Sequence, residues 1–157
     1  MKLPGVFLSI ALISIVFSCG NTEKEINAYK DFSGARMLKD KWYELKLSDS
    51  IPTGQEMFPC FLTIRFNEDY PFESIIIDIE KPGVEADSII YQRLNIPLFS
   101  KEGASLADKK FGIYEINYPI EEKIIAVPGL PVSVRTPMDS IEGLISVGMI
   151  ISGNNQE

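Results

Sequence analysis

Histidine is absent from the 157 residues, and that one absence removes a large share of enzyme chemistry. No Ser-His-Asp or Cys-His nucleophile can be assembled. The common zinc sites, which need imidazole nitrogen or several sulfurs, lose their ligands. Gly103-Ala104-Ser105-Leu106-Ala107 has the outline of a nucleophile elbow, but with no base to activate the serine it reads as a loop. Cysteine is nearly absent too, with Cys19 and Cys60 the two present. Neither a phosphate-binding glycine pattern nor an Asp-x-Asp-x-Asp-Gly calcium loop occurs. Positive charge is scarce: 15 Lys and Arg stand against 22 Asp and Glu, for a net charge of −7. Such a chain repels nucleic acid and anionic lipid head groups, so neither is expected as a partner. After residue 18 there is no helical period of useful length. A chain with these gaps is expected to be no enzyme and to need no cofactor or metal.

What is present begins with Lys2, an apolar run from Leu3 to Phe17, and Ser18-Cys19-Gly20. A short basic region, an apolar stretch and a small residue at the cut describe a secretory signal over residues 1–18. The run, interrupted by Pro4 and Gly5, falls short of the ~20 residues a spanning helix needs. Val16-Phe17-Ser18-Cys19 resembles the bacterial lipobox, which implies cleavage before Cys19 and attachment of acyl chains such as palmitate to it. Each buried methylene contributes ~0.8 kcal/mol, so several chains make a lasting anchor. Gly20 follows the cysteine where an aspartate would signal inner-membrane retention in some bacteria, and the expected location is the outer membrane. Loss of Lys2 with the signal takes the net charge from −7 to −8. Residues 19–27 are then the lipidated cysteine and a polar, flexible tether. Residues 28–157 form one domain.

Within that domain the organising stretch is Cys60 to Glu80. Cys60, Leu62, Ile64 and Phe66 alternate with Thr63, Arg65 and Asn67, and Ile75, Ile77 and Ile79 alternate with Ser74, Asp78 and Glu80. A period of two marks half-buried strands. Asn67 to Pro71 is a run of turn formers, so the pair reads as two antiparallel strands joined by a short stiff loop. Cys60, on the apolar side, is expected to be a small core residue. Further strands are predicted at Ala28–Phe32, Trp42–Leu47, Ser88–Leu98, Gly112–Ile120, Lys123–Val127, Leu130–Thr136 and Leu144–Ser152. Ser48–Pro59 is expected to be a loop, Lys81-Pro82-Gly83 a turn, and Lys101–Lys110 no more than a helical turn. Imperfect alternation in Ser88–Leu98 suggests a bulge or burial on both sides. In the last strand Ile145, Val147, Met149 and Ile151 fall together. About eight short strands between Pro and Gly turns predict an all-β, single antiparallel β-sandwich with jelly-roll or related Greek-key connections.

Arg65-Phe66-Asn67-Glu68-Asp69-Tyr70-Pro71-Phe72 resembles the Arg-x-x-x-Asp-Tyr-Pro-aromatic segment of the GldH-type gliding-motility lipoproteins. Phe111-Gly112-Ile113-Tyr114 is similar to that family's glycine-x-tyrosine segment, and Met138 through Gly148 to its C-terminal Met…Gly-Ile-x-x-Val-Gly segment. Phe66 stands where the family usually has a polar residue or histidine. Asp139 follows Met138 where arginine is common, so the resemblance is to a divergent member. It implies an envelope lipoprotein without catalytic activity, an accessory or subunit of a cell-envelope assembly linked to gliding motility. Tyr70 and Phe72 are then candidates for a partner contact. Equally, Tyr70 folds under the turn and Arg65 pairs with Asp69 across it, a structural role.

Asp78 and Glu80 share a strand face about 6–7 Å apart. Paired acids can hydrolyse glycosides, but a solvated polar face is the simpler expectation. Trp42 and Tyr43 point to opposite faces, which leaves one partly exposed. The functional expectation is a lipid-anchored outer-membrane protein with an envelope protein partner. The alternative is a surface glycan-binding lipoprotein, since β-sandwiches bind sugars on aromatic platforms. Coplanar exposed aromatics would point to glycan, and an apolar patch or open sheet edge to protein.

Overall fold

In a computed structural model, residues 25–46, 57–82, 88–125 and 132–152 are described. The predicted signal, Cys19, the loop residues 48–56, Gly83 of the predicted turn, and Leu47, Ala126, Val127, Leu130 and Pro131 of predicted strands lie outside them. Eleven strands occur among the described residues: β1 (Glu25–Asp31), β2 (Arg36–Met37), β3 (Tyr43–Leu45), β4 (Met57–Phe66), β5 (Ser74–Pro82), β6 (Ile89–Pro97), β7 (Asp108–Lys110), β8 (Ile113–Ile125), β9 (Val132–Arg135), β10 (Ile141–Glu142) and β11 (Leu144–Ser152). Helix is limited to a 3-10 turn at Ser33–Ala35.

The strands form a five-stranded sheet in the order β1-β11-β4-β8-β7, a four-stranded sheet in the order β3-β9-β5-β6, and the small pair β10-β2. Without the short β2, β7 and β10, eight strands remain. They pair first with last and so on inward: β1 with β11, β3 with β9, β4 with β8, β5 with β6. That nesting, with successive pairs dealt to opposite sheets, is the jelly roll. The protein is an antiparallel β-sandwich.

The alternating residues form the core between the two sheets. Leu62, Ile64, Phe66, Val147, Met149 and Ile151 come from the larger sheet, and Ile75, Ile77, Ile79, Ile96, Val132 and Val134 from the smaller. Cys60 is buried in the same series.

The central expectation about pairing is corrected. β4 and β5 do not form a hairpin: β4 lies between β11 and β8, and β5 lies in the other sheet between β9 and β6. Residues 67–73 arch from one sheet to the other. Alternation reports which side of a strand is buried and is silent on its neighbour, so arch and hairpin read alike in sequence.

Smaller corrections share a cause in register. Glu25, Ile26 and Asn27, assigned to the tether, already pair with Ser152, Ile151 and Ile150. Pro59, assigned to a loop, sits within β4 where the register to β8 shifts between Phe58 and Cys60, the irregularity that lets a central strand accept proline. Residues 123–125 continue β8 and are not a separate strand. Lys81 and Pro82 close β5, and Asp108–Lys110 is strand, not helix. β6 pairs with β5 without a shift from Ile89 to Pro97, so it holds no bulge; it is the sheet's edge and not a doubly buried strand. Ile145 leaves its predicted series because the β11 register shifts between Leu144 and Ser146.

Candidate functional site

The resemblance loop comes first. Asn67 accepts the Asp69 N–H on Oδ1 at 3.1 Å and donates Nδ2 to Asp69 Oδ2 at 3.1 Å. The Tyr70 N–H reaches Asn67 O at 3.2 Å, closing the turn. Tyr70 is buried, edge-on to Phe72 and tilted on Phe66 with centroids 5.3 Å apart. Its hydroxyl donates to Ser74 O at 3.0 Å, and burial raises its pKa. Gly143, with φ +79°, lies against this turn: its carbonyl accepts the Asn67 N–H at 2.9 Å, and any Cβ there would overlap Tyr70 N and Asn67 Oδ1. Pro71 and Phe72 remain exposed.

The expected Arg65–Asp69 pair is not formed. Arg65 points to the outer face of the larger sheet, ion-paired with its cross-strand neighbour Glu115 and lying 4.5 Å from the Tyr29 ring centroid. Asp69 is exposed on the turn. The reason is parity: Phe66 points inward, so Arg65 beside it points outward, while the arch turns toward the other sheet. Met138 from the C-terminal echo accepts the Ile76 N–H on sulfur at 3.3 Å. Tyr114 stacks on Phe66 at 5.2 Å.

A second constellation lies on the outer face of the smaller sheet, and four segments contribute to it. Cross-strand register places Asp78 of β5 opposite both Arg93 of β6 and Arg135 of β9. Arg93 donates Nε to Asp78 Oδ1 at 2.6 Å and Nη2 to Oδ2 at 3.0 Å; Arg135 donates Nε to Oδ2 at 3.0 Å. Arg135 also donates Nη2 to Tyr91 Oη at 2.9 Å and stacks 4.6 Å from the Trp42 centroid. Trp42 and Tyr91 meet edge to face, 6.3 Å apart at 79°.

Asp78 is therefore not on a solvated face; its side chain is fully buried under guanidinium groups. The Arg93 bonds, helped by Tyr91 and Arg135 and opposed by burial, bring its pKa down to about 2. Arg93, whose side chain is 56% exposed, presents its remaining donors to solvent. The arrangement is an ion-paired cluster. Its carboxylate is held ionised between fixed cations, unlike the raised acid a glycosidase needs. What it offers is a rigid Trp–Arg–Tyr surface with the side chains that carry most binding energy at protein interfaces. Sequence reading found Trp42 and the Asp78 position but not the constellation, because Tyr91, Arg93 and Arg135 meet them only through register.

A shallow groove of about 320 Å³ lies beside the 3-10 turn, lined by Phe32, Leu38 and Tyr43, the cations Lys30, Arg36 and Lys41, and the acid Asp31. Among the described residues, no group of three or more Cys, Asp and Glu converges on a metal position, and no helix is long and apolar enough to cross a membrane.

No family model matches the chain, and no curated protein does. Among solved structures, the PRD1 vertex protein P5 is similar at 9% identity over 83% of this chain and 73% of that one, with a TM-score of 0.42. The Eiger TNF of S. frugiperda is similar at 8% identity over 85% of this chain and 96% of that one, with a TM-score of 0.43.

Proposed function

We propose that this protein is a lipid-anchored, non-enzymatic β-sandwich of the outer membrane, an accessory or subunit of a cell-envelope assembly, linked to gliding motility by its sequence resemblance. The observation that supports a binding role best is the Trp42–Arg135–Tyr91 surface. A buried carboxylate fixes both arginines in place, so the entropy cost of ordering them is met on folding, before any partner arrives. The lipobox around Cys19 supports the anchor. Two tests address these points. Cys19→Ala removes the protein from the outer-membrane fraction; unchanged outer-membrane location contradicts the anchor. Tyr91→Ala, at a half-exposed edge position, leaves the chain folded and lowers recovery of partner proteins with the full-length chain at least tenfold. Unchanged recovery contradicts a protein-binding role for this face.

Glycan binding is the second reading, favoured by the groove in which Lys30, Arg36 and Lys41 outnumber Asp31, which suits an acidic saccharide. The perpendicular Trp42 and Tyr91 rings do not make the flat platform that neutral sugars stack on. Titration with acidic and neutral oligosaccharides separates the readings: binding of the acidic ones that is lost in Lys41→Ala supports this one, and no binding removes it.

A further inference from the structure

The turn between β7 and β8 presents a side chain that the fold does not use. Lys110 pairs with Ile113, leaving Phe111 and Gly112 as a two-residue connection, and both have positive φ, +53° and +80°. Turns of this kind take Asn, Asp or Gly at the first position, because a bulky side chain is strained there. Phe111 is fully exposed at 105% relative accessibility. The chain thus holds a phenyl ring in a disfavoured conformation and gains no burial from it. Ile113 beside it is exposed as well. The neighbouring arch is fastened to this hairpin by Lys109 Nζ to Glu68 Oε1 at 2.6 Å, and it adds the exposed Phe72 at the same end. With Lys109 engaged by Glu68, the exposed Lys110 is the cation next to Phe111 in the chain.

Direction selects the occupant. The described chain begins at Glu25, whose row runs through Ser152 to the end of the sheet near Cys60 and Ile120. The Phe111–Gly112 turn is at the other end, beyond Ile113 and Tyr114, about 26 Å away for eight residues of strand. Six residues from Cys19 to Glu25 reach at most ~20 Å. With lipid on Cys19 and the strands standing off the bilayer, the end that carries Glu25 is the near one and Phe111 faces away from the membrane. We propose that the β7–β8 turn is a membrane-distal docking knob for a protein partner, one with an apolar pocket for the Phe111 ring and a carboxylate at its rim for Lys110. The orientation rests on the lipid-anchored reading above.

The test uses the full-length chain in its own membrane. The photoreactive residue p-benzoylphenylalanine is placed at position 111 and, as a control, at the exposed Asn95. Light is expected to give a protein adduct at 111 that is absent at 95. Recovery of that same protein falls at least tenfold with Phe111→Asn and severalfold with Lys110→Glu, and is kept by Phe111→Trp, while Phe111→Asn keeps or raises the unfolding midpoint. An adduct that extracts into organic solvent assigns the knob to lipid, and one at twice the chain's mass assigns it to a second copy. Either result overturns the proposal, as do the absence of any adduct, unchanged recovery with Phe111→Asn, or a lowered midpoint. Cys19→Ala is fractionated in parallel. Continued outer-membrane location there defeats the anchor and with it the membrane-distal orientation, whereas release with unchanged Phe111→Asn recovery defeats the knob alone.

Discussion

Two turns meet at one end of this sandwich, and they treat an aromatic residue in opposite ways. The arch at 67–73 carries Tyr70 inward, where it packs on Phe66, bonds Ser74 O and is backed by Gly143. The β7–β8 turn carries Phe111 outward, at positive φ and in full contact with water. One turn is built from internal contacts and the other spends conformational energy without any. The difference teaches that a motif's place in sequence is a poor guide to its use. The stretch with the strongest family resemblance turns Tyr70 into the fold, while a weaker echo, Phe111-Gly112-Ile113-Tyr114, leaves Phe111 in solvent.

The contrast predicts a graded set of effects. Gly143→Ala breaks the inward turn hardest. It puts a Cβ into Tyr70 N and Asn67 Oδ1 at a left-handed φ, and the expected loss is about 3 kcal/mol by denaturant unfolding. A loss below about 1 kcal/mol would show that the arch is not fastened there.

Charge inside the fold gives the next effect. Asp78 is spent on Arg93 and Arg135, and its folded pKa of about 2 lies below the ordinary 3.8. Its contribution is thus complete above pH 4 and is lost as pH falls toward 2. The lowered pKa corresponds to about 2 kcal/mol. Wild type should lose this increment between pH 4 and 2, and Asp78→Asn should lack it at pH 7 already. Parallel acid-unfolding curves for the two proteins that keep their neutral-pH separation down to pH 2 would contradict the ion-pair account.

Tyr70→Phe removes only the bond to Ser74 O and should cost about 1 kcal/mol. Equal stability of the two proteins would reduce Tyr70 to its ring packing.

Much of the fold was legible because burial writes itself into alternation. Leu144–Ser152 was placed to the residue, the Cys60–Phe66 and Ile75–Ile79 series point to the core as read, and the jelly-roll class followed from strand number and turn chemistry. Pairing was not legible. Nothing in Arg65 to Glu80 says whether the next strand lies beside the last or across the core from it, so the arch read as a hairpin. The same ignorance hid the outer-face constellation. Asp78 reads as a surface acid until register sets Arg93 on one side and Arg135 on the other. Arg65 shows the reverse error: an acid close in sequence, Asp69, lost to Glu115, fifty residues away but directly opposite on β8. The strained exposure of Phe111 was not legible for a different reason, since positive φ at a bulky residue is a property of the backbone that no periodicity reveals.

The smallest expected effect is the most direct test of the claim that Phe111 belongs to a partner and not to the fold. Phe111→Asn replaces a strained, exposed ring with a residue that suits a turn of this kind. Equilibrium unfolding of the purified domain should show stability unchanged or raised by up to about 1 kcal/mol. A loss of 1 kcal/mol or more would mean that the ring supports the sandwich after all, and the contrast between the two turns would be gone.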